Sequence, residues 1–178
     1  AASDVYKRQV NDKNLEEILL ALKSLDAVEA VALGGSRSTG EADENSDYDI
    51  YVYCSEIPTG KTRENLLGKY CSVAEFGNHY WESEDNTVMN NGTPVDIIYR
   101  EIDRFGGYID TVIKGGKAFN GYTTAFWHNI RNSKVLFDKT GTFTKFRDMV
   151  QIDYPENLRR AIIKNNRSLL SGNLPSYD

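Results

Sequence analysis

Apolar residues recur with two different spacings in the first third of this chain. Residues 14–25, NLEEILLALKSL, predict a helix capped by Asn14, with one apolar face made of Leu15, Ile18, Leu19, Leu22 and Leu25. The next two apolar runs, VEAVAL and YDIYVYC, are rich in β-branched or aromatic residues and predict strands. The polar segment between them, SRSTGEADENS, predicts a short helical turn and a loop that connects two neighbouring strands.

Later segments favour one more hairpin and then mostly helices. TRENLLGKYCSVAEF has helical spacing, ESEDN (residues 82–86) predicts a solvated loop, and TVMNNGTPVDIIYR predicts strand, turn and strand. Four helical segments follow, with the strand KVLFD before the third of them: EIDRFGGYIDTVIKGG, YTTAFWHNIRNS, TGTFTKFRDMVQ and PENLRRAIIKNNRSLL. The pattern therefore predicts the α/β (α+β) class, with a mixed β-sheet flanked by helices.

The ends of the chain differ from its middle. The opening AASDVYKRQ has no initiator Met and resembles translated adapter sequence, so we expect residues 1–10 to be a non-native or disordered leader. We expect one domain over residues 11–152. Residues 153–178 are expected to begin a C-terminal helical region that is truncated.

Composition narrows the functional class. Hydrophobic residues make up 40% and charged residues 26% of the 178 residues, as in soluble globular proteins. The formal net charge of −5 and sequence pI near 5.1 argue against a broad surface for nucleic acid. Cys54 and Cys71 match no zinc spacing, so we expect reduced thiols and a cytoplasmic protein. No apolar run approaches the roughly 20 residues that cross a bilayer, so we expect no membrane partner.

Three aspartates carry the candidate chemistry. Asp47 and Asp49 lie two apart at a strand start, so their side chains point to the same face. Asp96 lies in the apolar strand PVDIIY, where an acid has no obvious structural reason, and an adjacent strand would bring it beside the pair. Carboxylates placed together repel each other unless a cation lies between them, and Mg²⁺ suits such oxygen ligands together with substrate phosphates. The pattern predicts a metal site.

A glycine-rich turn precedes the acidic pair. Gly34 and Gly35 allow the backbone to approach a ligand closely, and Ser36 can donate to a phosphate oxygen. Arg37 is a natural bidentate partner for phosphate, although a surface charge is an equally good interpretation. At the same sheet edge, the turn and the acids would form a triphosphate cradle facing a metal site.

LGGSRSTGEADENSDYDIYVY, followed by VDII, resembles the nucleotidyltransferase superfamily that includes DNA polymerase beta and the aminoglycoside nucleotidyltransferases. The resemblance implies that Asp47 and Asp49 bind metal, that Asp96 completes the site, and that Gly35 and Ser36 contact the nucleotide phosphates. It further implies two Mg²⁺ ions and a nucleoside triphosphate such as ATP. Asp96 would serve as metal ligand, as general base for the acceptor hydroxyl, or as both.

These observations favour an enzyme that moves a nucleoside monophosphate, AMP from ATP, to a hydroxyl of a small molecule and releases pyrophosphate. The alternatives are a protein adenylyltransferase or antitoxin-like module, and a non-catalytic nucleotide-binding domain. Three further aromatic residues could stack a base or sugar, but their near-helical spacing favours a place in the core: Tyr122, Phe126 and Trp127.

Overall fold

A computed structural model describes residues 12–43, 45–119 and 122–173 of the chain, with residues 168–173 described by their backbone alone. The expected leader, residues 1–10, lies outside these ranges. So does the end of the expected C-terminal region.

Within the described residues, six strands form one mixed sheet in the order β3-β4-β5-β2-β1-β6. Their bounds are β1 Val28–Leu33, β2 Tyr48–Cys54, β3 Cys71–Asn78, β4 Ser83–Met89, β5 Pro94–Glu101 and β6 Lys134–Asp138. In the same part of the chain, the α-helices are α1 Lys13–Lys23, α2 Gly35–Thr39, α3 Gly60–Leu67, α4 Ile102–Tyr108, α5 Ala125–Asn132, α6 Thr142–Met149 and α7 Glu156–Asn173. A 3₁₀ turn, Gly68–Tyr70, follows α3, and a π-helix, Ile109–Lys114, continues α4. The predicted mixed sheet flanked by helices is confirmed.

The two faces of the sheet bury two hydrophobic clusters. Because side chains alternate along a strand, Ile50 and Val52 of β2 point to one face, whereas Tyr51 and Tyr53 point to the other. The first face packs against the apolar stripe of α1 and the end of α3. The second face packs against the helical elements that follow β5, including Leu158 of α7. None of the described helices is both long and apolar enough to span a membrane.

Strands β2 and β5 are the parallel pair at the centre of the sheet. Both neighbours of this pair, β1 beside β2 and β4 beside β5, run antiparallel to it. The parallel register sets Asp49 directly opposite Asp96. The predicted juxtaposition of these two acids is therefore confirmed by the strand pairing.

Local chemistry differs from the prediction at two helix positions. The cap of α1 is Asp12 rather than Asn14: its carboxylate accepts the backbone N–H groups of Asn14, at 2.9 Å, and Leu15, at 3.3 Å. The helix predicted in TRENLLGKYCSVAEF ends at the 3₁₀ turn, and the remainder is the edge strand β3, which pairs with β4.

The solvated loop predicted at residues 82–86 is wrong, because residues 83–86 belong to β4. Two polar side chains of this strand, Asp85 and Asn86, contact partners on other elements of the fold. Asp85 is fully buried beside Arg63, and Asn86 donates to Asp96. Asp85 therefore belongs to the interior of the fold, and Asn86 belongs to the candidate site.

Arg63 on α3 anchors the buried end of β4. Only 1% of its surface is exposed, and its Nη2 lies 3.3 Å from Asp85 Oδ1. Its Nη1 donates to Ser83 Oγ at 3.0 Å, and its guanidinium lies 4.3 Å from the ring centroid of Tyr99. The Gly77 backbone N–H also donates to Asp85 Oδ1, at 2.8 Å. This cluster joins α3 to strands β3, β4 and β5.

We expect Arg63→Met to lower the free energy of unfolding by about 3–5 kcal/mol, because Asp85 would stay buried without its cation. Urea unfolding measures the loss. The matched control is Lys61→Met on the same helix, since Lys61 pairs with Glu64 at the exposed surface. Equal losses in the two variants would contradict a structural role for the buried pair.

Candidate active site

The three predicted acids meet where β2 and β5 begin. Asp47 lies just before β2 and is exposed, whereas Asp49 on β2 and Asp96 on β5 are half-buried. Adjacent strands are about 4.8 Å apart, so the register that pairs Asp49 with Asp96 sets their carboxylates side by side. The structure thus brings together all three acids at one end of the parallel pair.

The carboxylate of Asp49 lies near two other negative charges, those of Asp47 and Asp96. Burial raises the pKa of Asp49 above its ordinary value, and the negative charges of Asp47 and Asp96 raise it further. Among the described residues, no group of three or more His, Cys, Asp and Glu side chains is arranged so that it could by itself hold a metal ion. An open pair of carboxylates is what Mg²⁺ uses when substrate phosphates supply the remaining ligands. The donor set therefore fits a cation that arrives with a phosphorylated ligand.

The two glycines of the turn lie directly against side chains of β2. A Cβ atom on Gly35 would lie 1.7 Å from Asp49 Oδ2, and one on Gly34 would lie 2.3 Å from Tyr51 Cε2. Gly35 also adopts a φ of +58°, a left-handed conformation that favours glycine. The Gly34 backbone N–H donates to the carbonyl of Asp49 at 2.8 Å. The glycine turn and the acidic strand are thus in direct contact.

Ser36 lies in the first turn of α2, next to this contact. It is half-buried, and its hydroxyl makes no hydrogen bond within the part of the chain that the structure describes. The neighbouring Ser38 hydroxyl, in contrast, donates to the Gly35 carbonyl at 2.7 Å and so stabilises the turn. Ser36 therefore has a hydroxyl available for a ligand beside Asp49.

Arg37 holds the loop that leads into β2. Its Nε donates to the carbonyls of Ser46, at 3.0 Å, and Asp47, at 2.9 Å, and its Nη2 also donates to Ser46. Its guanidinium lies 4.0 Å from the ring centroid of Tyr48. These contacts fix the backbone at Asp47, which carries the outermost of the three carboxylates. The position of Arg37 in the sequence does not reveal this role.

Two asparagines that the sequence analysis did not assign to the site support Asp96. Asn86 on β4 pairs with Asp96 across the sheet, and its amide donates to Asp96 Oδ1 at 3.0 Å. The amide of Asn78 donates in turn to Asn86 Oδ1 at 2.8 Å and so fixes the orientation of that side chain. The sequence predicts a loop at Asn86. The observation that assigns this residue to the site is its position opposite Asp96 in the sheet.

We expect Gly35→Ala to destabilise the protein more than Gly40→Ala does. Both glycines have positive φ, so each alanine adds backbone strain of about 1–2 kcal/mol. A Cβ at Gly40 meets nothing within 4 Å, whereas one at Gly35 displaces Asp49 and costs about 1–3 kcal/mol more. Urea midpoints of the two variants provide the comparison. Equal midpoints would show that the turn does not lie against the carboxylate.

Comparisons with known proteins identify the domain family of this chain. Residues 15–119 match the family model described as a nucleotidyltransferase domain. No curated protein matches the chain. A solved structure described as a toxin-antitoxin with AMP-PNP is 14% identical, with a TM-score of 0.48, and the alignment covers 90% of this chain and 98% of that one.

Two further solved structures are also distant. A mutant of the toxin-antitoxin MntA-HpeT is 12% identical, with a TM-score of 0.46 and the same coverage of 90% and 98%. Cid1 in complex with its short product ApU is 18% identical, with a TM-score of 0.39 over 73% of this chain and 42% of that one. Similarities this low do not bear on substrate. The family model spans more than half of the chain and includes all three acids and the glycine turn, so the chain belongs to the nucleotidyltransferase domain family and is a transferase.

Proposed function

We propose that this protein is a Mg²⁺-dependent nucleotidyltransferase that moves AMP from ATP to a hydroxyl of a small-molecule acceptor and releases pyrophosphate. The observation that carries the proposal is the contact of Gly35 with Asp49, which itself lies opposite Asp96 in the parallel pair. A close backbone turn beside paired carboxylates suits a ligand that combines phosphate oxygens with a divalent cation.

The turn before β2 is the proposed cradle for the triphosphate. Gly35 keeps a side chain out of the space beside Asp49, Gly34 does the same beside Tyr51, and the hydroxyl of Ser36 donates to a phosphate oxygen. The contacts of Arg37 favour a positioning role over the direct phosphate contact that the sequence suggested, because its Nε and Nη2 hold the carbonyls of Ser46 and Asp47.

The three acids are the proposed metal ligands. Asp49 would lie between the triphosphate and Asp96, and Asp47 would add the outer carboxylate from its loop. When bound, Mg²⁺ neutralises these carboxylates and acts as a Lewis acid on the phosphoryl group, two ions being the expected number. The raised pKa of Asp49 agrees with a site that needs such a counter-charge.

Asp96 is the proposed acceptor for the proton of the attacking hydroxyl. Its Oδ1 receives the amide of Asn86, and its Oδ2 accepts no hydrogen bond within the described residues. A carboxylate held by one oxygen presents the other in a fixed direction, as general-base catalysis requires. The hydroxyl oxygen would attack the α-phosphate in line, the bond to the pyrophosphate would break, and the proton would pass to Asp96.

The acidic balance of the chain favours a small acceptor over nucleic acid. A polymerase that holds a duplex needs clustered positive charge along its channel, and this chain has a formal net charge of −5.

The test is calorimetric titration of ATP, GTP, CTP and UTP, with and without Mg²⁺. We expect ATP to bind most tightly, only with Mg²⁺, and at least tenfold more weakly to Asp47→Asn/Asp49→Asn. The matched control is Asp103→Asn/Asp153→Asn, which removes the same charge from exposed positions outside the site. Folded wild-type protein that binds no nucleotide, or equal binding by the two double variants, would contradict the proposal.

Turnover separates the enzyme from a binding module. Once an acceptor is found, Asp49→Asn should abolish pyrophosphate release, because the variant loses a carboxylate next to the reacting phosphate. A non-catalytic nucleotide-binding module would keep its partner affinity in the same variant and release no pyrophosphate in the wild type.

A further inference from the structure

A cavity of about 700 Å³ lies beyond the acids, between the end of the sheet and the helix that follows β5. We propose that this cavity is the acceptor site, and that the acceptor carries a neutral, planar aromatic ring. The assignment to the acceptor rests on the proposed function; the preference for an aromatic ring rests on the lining of the cavity itself. Its volume is in the range of ligand sites in proteins.

Aromatic side chains dominate the cavity wall. Trp81, Tyr108, Phe119 and Phe126 all line it. Trp81 is 79% exposed and Phe119 is 45% exposed, so both present aromatic surface that a ligand in the cavity can cover. Tyr122, 73% exposed, meets Trp81 edge to face with ring centroids 5.6 Å apart. A planar ring gains stacking energy from such surfaces in addition to the area it buries.

The predicted core role of the aromatic set is therefore only partly correct. Trp127 is buried, and its Nε1 donates to the carbonyl of Val150, so it belongs to the core as expected. Phe126 is half-buried on the cavity wall, and Tyr122 lies at the surface against Trp81. Near-helical spacing predicts a core position for all three residues, but Tyr122 precedes the helix α5 and does not share its buried face.

The charged groups of the cavity balance one another. Arg100 forms a bidentate pair with Glu82, with Nε 2.9 Å from Oε1 and Nη2 2.6 Å from Oε2. Its guanidinium also lies 4.6 Å from the ring centroid of Phe126. At the rim, Arg104 and Glu101 have opposite charges. With no surplus of either sign, the cavity favours an uncharged ring over an anion or a polycation.

The order of the strands separates the proposed phosphate cradle from the cavity. The cradle follows β1, the acids lie on β2 and β5, and the cavity lies at β4 and β5. In-line displacement requires the attacking hydroxyl and the leaving pyrophosphate on opposite sides of the phosphorus. The glycine turn adjoins Asp49 from the β1 side, whereas the cavity is reached along β5 from Asp96, so the acceptor enters from the Asp96 side of the site.

The distance along β5 adds a requirement for the acceptor. Asp96 and Arg100 point to the same face and are four residues apart, which is about 13 Å along a strand. Ile98 lies between them on that face. An acceptor with its ring in the cavity must therefore be elongated, with its hydroxyl well separated from the ring.

One wall of the cavity has an unusual backbone. It is formed by Gly107, Tyr108, Thr111 and Val112, where α4 changes into the π-helix. Short π-helical stretches are rare and occur frequently at functional sites. This second observation, independent of the aromatic lining, also points to a ligand in the cavity.

The experiment measures binding of naphthalene-2-methanol and of its saturated counterpart, decahydronaphthalene-2-methanol, to the full chain by calorimetry. We expect the aromatic alcohol to bind at least fivefold more tightly than the saturated one. Trp81→Ala should weaken its binding about tenfold, because ring stacking is worth about 1–3 kcal/mol, and Trp81→Phe should restore most of it. Tyr80→Ala is the matched control, since Tyr80 is the neighbouring exposed aromatic residue and does not line the cavity.

Two arms separate this inference from the proposed function. The aromatic alcohol should bind equally to wild type, to Asp47→Asn/Asp49→Asn, and to protein saturated with Mg²⁺ and ATP. Inorganic triphosphate with Mg²⁺ should bind wild type and Trp81→Ala alike but not the double aspartate variant; failure of this arm alone overturns the proposed function.

Three results would overturn the cavity assignment. The first is no preference for the aromatic alcohol over the saturated one. The second is equal weakening of its binding by Trp81→Ala and Tyr80→Ala. The third is competition between the alcohol and ATP, which would assign the cavity to the base of the donor nucleotide.

Discussion

The parallel pairing of β2 with β5 is the constraint on which the rest of this structure depends. It sets Asp49 opposite Asp96 near the start of both strands, while the hydrophobic residues that follow in each strand hold the register. A one-residue slip would move every side chain of a strand to the other face. The same register therefore defines both the two hydrophobic clusters and the acidic site.

Neighbouring residues, rather than the three carboxylates themselves, hold the acidic site in place. Asn86 orients Asp96, Arg37 holds the loop at Asp47, and Gly35 leaves room for Asp49. None of these neighbours is a cation in contact with the carboxylate of Asp49, whose pKa is raised by burial and by the other two acids. Such concentration of like charge lowers stability and is typical of a binding site prepared for an opposite charge.

The sequence is sufficient to predict the features that depend on residues close together in the chain. Runs of β-branched and aromatic residues predict β2 and β5, and the glycine turn together with Asp47 and Asp49 predicts the candidate site. It was insufficient where a polar residue has a distant partner. Asp85 and Asn86 resemble solvated loop residues until α3 and β5 are placed beside them, because Arg63 and Asp96 supply the contacts that make β4 a buried strand. The exposed pairing of Trp81 with Tyr122 depends in the same way on two segments that are remote in the chain.

The most direct measurement of the central claim is urea unfolding of wild type and Asp49→Asn, each with and without Mg²⁺ and ATP. If repulsion among the three acids prepares the site for a cation, the variant is more stable than wild type in the absence of ligand. Saturating Mg²⁺ and ATP should then stabilise wild type, by about 2.7 kcal/mol at a hundredfold excess over Kd, and stabilise the variant by at most about half as much. A variant that is less stable than wild type without ligand, and equally stabilised by Mg²⁺ and ATP, would contradict the account.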